Sequence, residues 1–356
     1  MKSTEQKIIK VLIVEDSRVV MEFLTAVLQS DPQIRVVGTV GDGAGALEAV
    51  EATQPDVITM DIHMPKMNGF EATRLIMERC PKPIVIVSGS SAVDEVATSF
   101  QAVEAGALTL VARPNGIGHP QQETTAKHFL ETVKLMADVK VVKRWPWFNR
   151  AQAPAPPPVS LRFQPTGPPL KIVAIGASTG GPLVLQTIFS KLPKDFPVPI
   201  LVVQHMAKGF VRGFVEWLSN TTHFPVRVAV AGEVLLPGQA YVAPDDFQMG
   251  VEADRRIHLV RDHLENRICP SVSYLFRSIE QTFGASAIAV LLTGMGQDGA
   301  EELKRLKEVG AVTIAQDKES SVVHGMPGHA IQLDAAKLIL SPDDIAQTLA
   351  TLTTRL

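Results

Sequence analysis

Apolar residues in this chain gather in short runs, separated by longer segments in which they recur every three or four positions. Parallel βαβ units produce this alternation. Over residues 10–143 the runs are Val11-Leu12-Ile13-Val14, Ile34-Arg35-Val36-Val37-Gly38, Val57-Ile58-Thr59-Met60, Ile84-Val85-Ile86-Val87 and Leu108-Thr109-Leu110-Val111. Five such strands with helices between them predict a small doubly wound, flavodoxin-like sheet. From residue 171 onward the pattern resumes with Ile172-Val173-Ala174-Ile175, Ile200-Leu201-Val202-Val203, Ala287-Ile288-Ala289-Val290-Leu291-Leu292 and Val312-Thr313-Ile314-Ala315. Runs this continuous suit strands covered on both faces, and they predict a larger parallel α/β unit of Rossmann-like type. Two stretches between them, Gln239-Ala240-Tyr241-Val242-Ala243 and Arg256-Ile257-His258-Leu259-Val260, alternate more and predict an antiparallel hairpin beside the parallel core.

The pattern breaks between the halves. Trp145-Pro146-Trp147-Phe148-Asn149-Arg150 leads into Ala151-Gln152-Ala153-Pro154-Ala155-Pro156-Pro157-Pro158, and more prolines follow between Pro165 and Pro169. Proline at this density is incompatible with helix or sheet interiors, so the segment reads as a semi-extended linker, with the aromatic cluster at its head packing against a domain. The expected organisation is a first domain over 8–140, a linker over 141–169 and a second domain over 170–352.

Composition narrows the function classes. A chain of 356 residues exceeds what one core organises, and 46% hydrophobic with 20% charged residues is the balance of folded, soluble domains. A formal charge of -3, without any Lys/Arg stripe, argues against a nucleic-acid partner. Cys80 and Cys269 stand far apart with no C-x-x-C spacing, so neither a disulfide framework nor a thiolate zinc site is indicated and a reducing cytoplasm fits. The first ten residues are polar, and no apolar run approaches the roughly 18 residues of a spanning helix, so membrane insertion is not expected.

Acidic residues mark the strand ends of the first half. Glu15 and Asp16 follow the first run and Asp61 the third, and parallel strands share one carboxyl edge. Converging carboxylates repel unless a hard cation such as Mg2+ neutralises them. Ser88 after the fourth run and Arg113-Pro114 after the fifth bring a hydroxyl and a cation to that edge. An acidic surface rim is the bland alternative for any one of these residues, but it accounts poorly for five at successive strand ends.

In the second half, Gly176-Ala177-Ser178-Thr179-Gly180-Gly181 lies between an apolar run and a helix-period segment. A serine on such a strand-to-helix turn is placed as a nucleophile, although the same turn could cradle a phosphate. A nucleophilic serine needs a base and a carboxylate to orient it. His205 follows the next strand, and Asp298 lies in the glycine-rich loop after Leu291-Leu292, so all three fall on one carboxyl edge. His324 and His329, in a Gly/Pro-rich loop, are weaker rivals, and His258 reads as a surface strand position. Asp298 could instead cap a helix. The order Ser178, His205, Asp298 differs from that of α/β-hydrolases. Dinucleotide binding fits badly, because G-x-G-x-x-G is missing and Gln204-His205 stands where an acidic residue would close the next strand.

Residues 9–135 resemble the receiver domain of two-component response regulators, on Val14-Glu15-Asp16-Ser17, Met60-Asp61-Ile62-His63-Met64-Pro65, Met67-Asn68-Gly69, Ser88 and Arg113-Pro114. The resemblance implies phosphoryl transfer from a histidine kinase to Asp61, with Mg2+ held by Glu15, Asp16 and Asp61 and with Ser88 and Arg113 answering the phosphoryl group. The family normally has lysine where this chain has Arg113, and an aromatic switch residue near Leu110.

Residues 171–349 resemble the catalytic domain of CheB-type chemotaxis receptor methylesterases. The matching pieces are the Gly176 to Gly181 turn, Gln204-His205-Met206, Gly209-Phe210, Pro237-Gly238-Gln239-Ala240-Tyr241-Val242-Ala243-Pro244, Pro270-Ser271-Val272, Thr293-Gly294-Met295-Gly296-Gln297-Asp298-Gly299 and Gly325-Met326-Pro327. The resemblance implies hydrolysis of glutamate γ-methyl esters on methyl-accepting chemoreceptors, with deamidation of receptor glutamines in some members. Ser178 would attack, His205 accept its proton and Asp298 orient the ring, while N–H groups around Thr179 and Met295 bind the oxyanion and no cofactor serves the esterase. The receiver is expected to inhibit until Asp61 is phosphorylated by a CheA-type kinase, in a cytoplasmic monomer. The competing class is a signalling adaptor whose second domain binds without turnover.

Overall fold

A computed structural model describes residues 8–89, 92–139, 141, 168–261 and 268–353, in two units, Met1–Pro154 and Ala155–Leu356. The aromatic cluster from Trp145 to Arg150 and the prolines from Pro154 to Pro165 lie outside the described residues.

The first unit runs β1 (Ile9–Val14), α1 (Arg18–Gln29), β2 (Ile34–Val40), α2 (Gly43–Thr53), β3 (Val57–Met60), α3 (Gly69–Arg79), β4 (Ile84–Ser88), α4 (Val93–Glu104), β5 (Thr109–Ala112) and α5 (Gln122–Ala137). Its strands pair in parallel in the order β2-β1-β3-β4-β5. Every residue of β3 and β4 is buried, which is why those runs are continuous and not alternating. Chain direction across the sheet reverses between β1 and β3, and the crevice of such a sheet opens at that switch point. Glu15, Asp16 and Asp61 follow those two strands.

The second unit runs β6 (Ile172–Ala177), α6 (Gly181–Phe189), β7 (Ile200–Gln204), α7 (Val211–Thr222), β8 (Val226–Val228), β9 (Ala240–Val242), β10 (Gln248–Val251), β11 (Ile257–Val260), α8 (Val272–Phe283), β12 (Ala287–Leu291), α9 (Ala300–Glu308), β13 (Val312–Gln316), α10 (Met326–Gln332), β14 (Leu338–Leu340) and α11 (Pro342–Thr353). Seven strands form a parallel sheet ordered β14-β13-β12-β6-β7-β9-β8. Its switch point lies between β6 and β12, the strands that Ser178 and Asp298 follow. On one face of this sheet Leu201, Tyr241, Leu275, Phe276, Ala289 and Leu303 belong to one buried cluster.

The antiparallel hairpin exists, but its first strand is not 239–243. Residues Ala240–Val242 form β9, which lies parallel between β7 and β8 with all three side chains buried. The partner of β11 is β10, paired from Gln248 opposite Val260 to Val251 opposite Ile257. Gln248 and Gly250 disguise β10 as polar sequence. Gln248 is nonetheless fully buried, because its Oε1 accepts from the Ser271 N–H at 2.7 Å and its Nε2 donates to the Ile268 carbonyl at 2.8 Å. The edge strands β8 and β14, of three residues each, are too short to show a period.

Candidate active site and acidic cluster

Strand β6 ends at Ala177, and the chain turns at once into α6. Gly180 occupies the left-handed region at φ 81°, which favours glycine, and Pro182 then supplies a φ already suited to the first helical turn. Ser178 is half-buried on this turn. Its N–H donates to the Thr293 carbonyl at 3.0 Å, and its carbonyl accepts from the Gly181 N–H at 2.9 Å and from Gln204 Nε2 at 2.8 Å. Ala177 and Gln204 are register partners in the β6–β7 pair, and the His205 N–H donates to the Ala177 carbonyl at 2.9 Å. One step further along, Ser178 and His205 are neighbours on backbones roughly 4.8 Å apart.

His205 Nε2 lies 2.9 Å from Asp298 Oδ2. An ionised carboxylate can only accept, so Nε2 carries the proton and Nδ1 is the free lone pair of the neutral ring. This is the reverse of the ring usage in the common serine-protease triad, where the carboxylate holds Nδ1.

Asp298 is the capping residue that the sequence allowed, but the helix it caps is not its own. Gly299 occupies the N-cap of α9, whereas the Asp298 carboxylate reaches the start of α8. There Oδ1 accepts from Ser271 Oγ and the Ser273 N–H, both at 3.0 Å, and Oδ2 from the Val272 N–H at 2.7 Å. Burial works against the charge, but the His205 ring and the Ser273 hydrogen bonds outweigh it and hold this carboxyl well below its usual range. Ser273 Oγ in turn accepts from the Gly299 N–H at 2.9 Å and donates to Glu302 Oε2 at 2.7 Å, and Arg277 pairs with Glu302 Oε1 at 3.1 Å. Serine hydroxyls at 271 and 273 thus fasten the Asp298 loop to α8. A serine directly ahead of the apolar Val272, Leu275, Phe276, Ile279 period signals an N-cap, but not what else the cap holds.

Of the rival histidines, His324 comes close to this edge by its backbone, in an isolated parallel bridge with Gly294, and a Cβ at Gly294 would lie 2.7 Å from Ser178 Cβ. His324 Nδ1 lies 3.3 Å from Ser321 Oγ, His258 pairs with Glu252 at 3.1 Å on β11, and His329 lies within α10. Thr179 and Met295, both half-buried, occupy the turns after β6 and β12. The Thr179 carbonyl accepts from Thr293 Oγ1 at 2.9 Å, and the Gly294 carbonyl, which precedes Met295, accepts from the Gly325 and Met326 N–H groups at 3.1 and 2.9 Å.

In the first unit, one carboxylate oxygen from each of Glu15, Asp16 and Asp61 lies within 4.8 Å of the others. Burial and the Asp61 carboxylate push Glu15 up to about 7, against the Ser17 N–H and the Arg113 charge. Burial also raises Asp61, although the Ile62 N–H donates to its Oδ1 at 2.8 Å. Ser88 is buried at the end of β4, and the Arg113 N–H donates to its carbonyl at 2.8 Å. The Arg113 guanidinium fills the space that a Cβ on Gly89 would take, so glycine there makes room for the larger cation.

Comparison with known proteins matches both units to known families. The response regulator receiver domain profile matches residues 11–121, and that of the CheB methylesterase family matches 173–349. A protein-glutamate methylesterase/protein-glutamine glutaminase of Nitrosospira multiformis is 56% identical over 344 residues, covering 97% of each chain. One from Geobacter metallireducens is 58% identical over 346 residues, covering 97% of this chain and 99% of its own. The crystal structure of the Thermotoga maritima CheB methylesterase catalytic domain matches 51% of this chain and 98% of its own, at 39% identity and a TM-score of 0.50. With relatives more than half identical along nearly the whole chain and the methylesterase family matched over the second unit, this chain belongs to the CheB methylesterase family.

Proposed function

We propose that this chain hydrolyses glutamate γ-methyl esters of methyl-accepting chemoreceptors, releasing methanol, and deamidates receptor glutamines, under the control of phosphorylation at Asp61. The observation that carries the proposal is the His205–Asp298 pair at 2.9 Å, with His205 directly following β7, whose last residue, Gln204, is the register partner of Ala177 beside Ser178. Ser178 Oγ attacks the ester carbonyl as its proton passes to Nδ1. The imidazolium, stabilised by Asp298, returns that proton to the departing methoxide or, for glutamine, to the departing amine. Water then adds to the acyl-serine with His205 again as base, which releases the glutamate carboxylate and restores Ser178. The Thr179 and Met295 N–H groups receive the oxyanion of both tetrahedral intermediates.

For the first unit, the reading is phosphoryl transfer from a CheA-type histidine kinase to Asp61, with Ser88 and Arg113 answering the phosphoryl oxygens. Three converging oxygen donors, one of them buried and pushed towards neutrality, suit a hard divalent cation. Mg2+ held by Glu15, Asp16 and Asp61 would neutralise charge as the phosphoryl group arrives. The receiver over 8–140 inhibits the esterase over 170–352 until that transfer, through the linker over 141–169. Among the described residues no helix is long and apolar enough to cross a membrane, and the proposal has the chain act in the cytoplasm as a monomer.

Methanol release from methylated receptor membranes tests the reading. With a small-molecule phosphodonor the full chain releases methanol, and Ser178→Ala lowers the rate by roughly 10⁶-fold, the scale of losing a serine nucleophile. Undiminished release by Ser178→Ala would refute it.

A further inference from the structure

Gln204 closes β7 beside the nucleophile turn and is 3% exposed. Its Nε2 donates to the Ser178 carbonyl at 2.8 Å and to the His205 carbonyl at 2.9 Å. The reversed amide would set its oxygen against both carbonyls, so the hydrogen bonds fix which end faces them. Oε1 then points the other way, with no partner among the described residues. A Cβ at position 181 would overlap it, so Gly181 makes the space that Oε1 occupies. A buried amide that leaves its acceptor unmatched and demands a glycine beside it is held there at a cost, and the only return in view is its two donors.

Those donors act on the peptide that joins Ser178 to Thr179. That peptide is trans, so its C=O and N–H point in opposite directions. With the Ser178 carbonyl drawn towards Gln204 and the Gly181 N–H, the Thr179 N–H is turned away from the strand β7 side chain that holds it. Rotating the peptide would aim a carbonyl oxygen where an N–H is needed.

We infer that Gln204 is a positioning residue for catalysis: its side-chain amide locks the Ser178–Thr179 peptide so that the Thr179 N–H is presented to the oxyanion. The same donor, through the His205 carbonyl, ties the backbone of the general base to that of the nucleophile. The inference rests on the acyl-transfer reading of Ser178 and adds a residue to it. It also distinguishes the two oxyanion donors: the Gly294 carbonyl ahead of Met295 is held by backbone N–H groups at the start of α10, whereas the Ser178 carbonyl depends on a side chain.

The test is Gln204→Met in the full chain, which keeps the length and removes the donors. Assays are methanol release from methylated receptor membranes and inactivation by a p-nitrophenyl alkylphosphonate. In that reaction Ser178 displaces p-nitrophenolate while the phosphoryl oxygen takes the oxyanion position. Loss of one oxyanion donor lowers kcat by roughly 100-fold. The inference expects a fall of that order with KM changed less than about twofold. The phosphonate inactivation rate falls in parallel. Gln204→Leu is the second variant, and rates are referred to the chain that the phosphonate finally labels, so that unfolded protein is not counted as slow enzyme. A kcat within threefold of the parent or a fall confined to KM overturns the inference. Activity retained by Ser178→Ala would instead overturn the acyl-transfer reading itself, so the two failures are distinct.

Discussion

Glu15 and Asp298 each stand just beyond a central strand of a parallel sheet, yet one carboxyl is pushed up to about 7 and the other is held well below its usual range. The difference lies in what each edge collects. At the first, three carboxylates converge with few donors between them, so burial and like charge disfavour ionisation. At the second, a single carboxylate meets two backbone N–H groups, a serine hydroxyl and an imidazole N–H. The first edge has charge for an incoming cation to neutralise, which suits a site that is filled and emptied during signalling. The second is complete in its own donors, which suits a site that must be ready at every turnover. Topology supplies the place in both cases, and hydrogen-bond supply decides the chemistry.

The comparison breaks most visibly at Asp298. Asp298→Asn keeps the shape but loses the acceptor that fixes the ring proton on Nε2, and kcat should fall by about 10⁴-fold, as triads do when the wrong tautomer forms. Methanol release with KM determined separately reads this, and a loss below tenfold would mean that the carboxylate only caps α8. Ser273→Ala comes next, since it deprives the buried Gly299 N–H of its acceptor and Glu302 of a donor. It should lower stability by about 1–3 kcal/mol in urea titration.

A pH series tests the sign of the Asp298 shift. A carboxyl whose folded pKa is depressed contributes stability in full above its unfolded value near 3.9, and this is lost as pH falls through the folded value. The difference in Tm between the parent and Asp298→Asn should therefore shrink as pH falls below about 4. A difference that widens over that acid range would contradict the assignment.

The smallest expected effect concerns the first edge. Gly89→Ala should displace the Arg113 guanidinium, the end of a flexible side chain, without measurable loss of stability. Phosphodonor stimulation should weaken in the Arg113 chain but not in Arg113→Lys, a coupling of about 0.5–1 kcal/mol in a double-mutant cycle. Additive effects would show that Gly89 has no bearing on the cation.

Much of this arrangement is legible in the sequence because parallel strands deliver their last residues to one edge. Ser178, His205, Asp298, Glu15, Asp16 and Asp61 each follow an apolar run, and that placement needs no tertiary knowledge. What the run pattern leaves out depends on the direction of side chains. Nothing in the order of residues shows that Asp298 reaches α8, that the ring of His205 is held by Nε2, or that Gln204 faces the nucleophile's carbonyl. The first strand of the hairpin escapes the run pattern for a related reason, since buried Gln248 and Gly250 look polar until their partners are known. The match of Gly89 to Arg113 joins residues that follow different strands, and only the fold brings them together.

The central claim is that Ser178 is the nucleophile of the methylesterase, and covalent titration tests it most directly. The full chain is treated with increasing p-nitrophenyl alkylphosphonate, the label is mapped by peptide mass spectrometry, and residual methanol release is measured on the same samples. The account predicts one label per chain, on Ser178, with activity falling in proportion to its occupancy. Full labelling of Ser178 with methanol release intact, or loss of release with the label elsewhere, would contradict it.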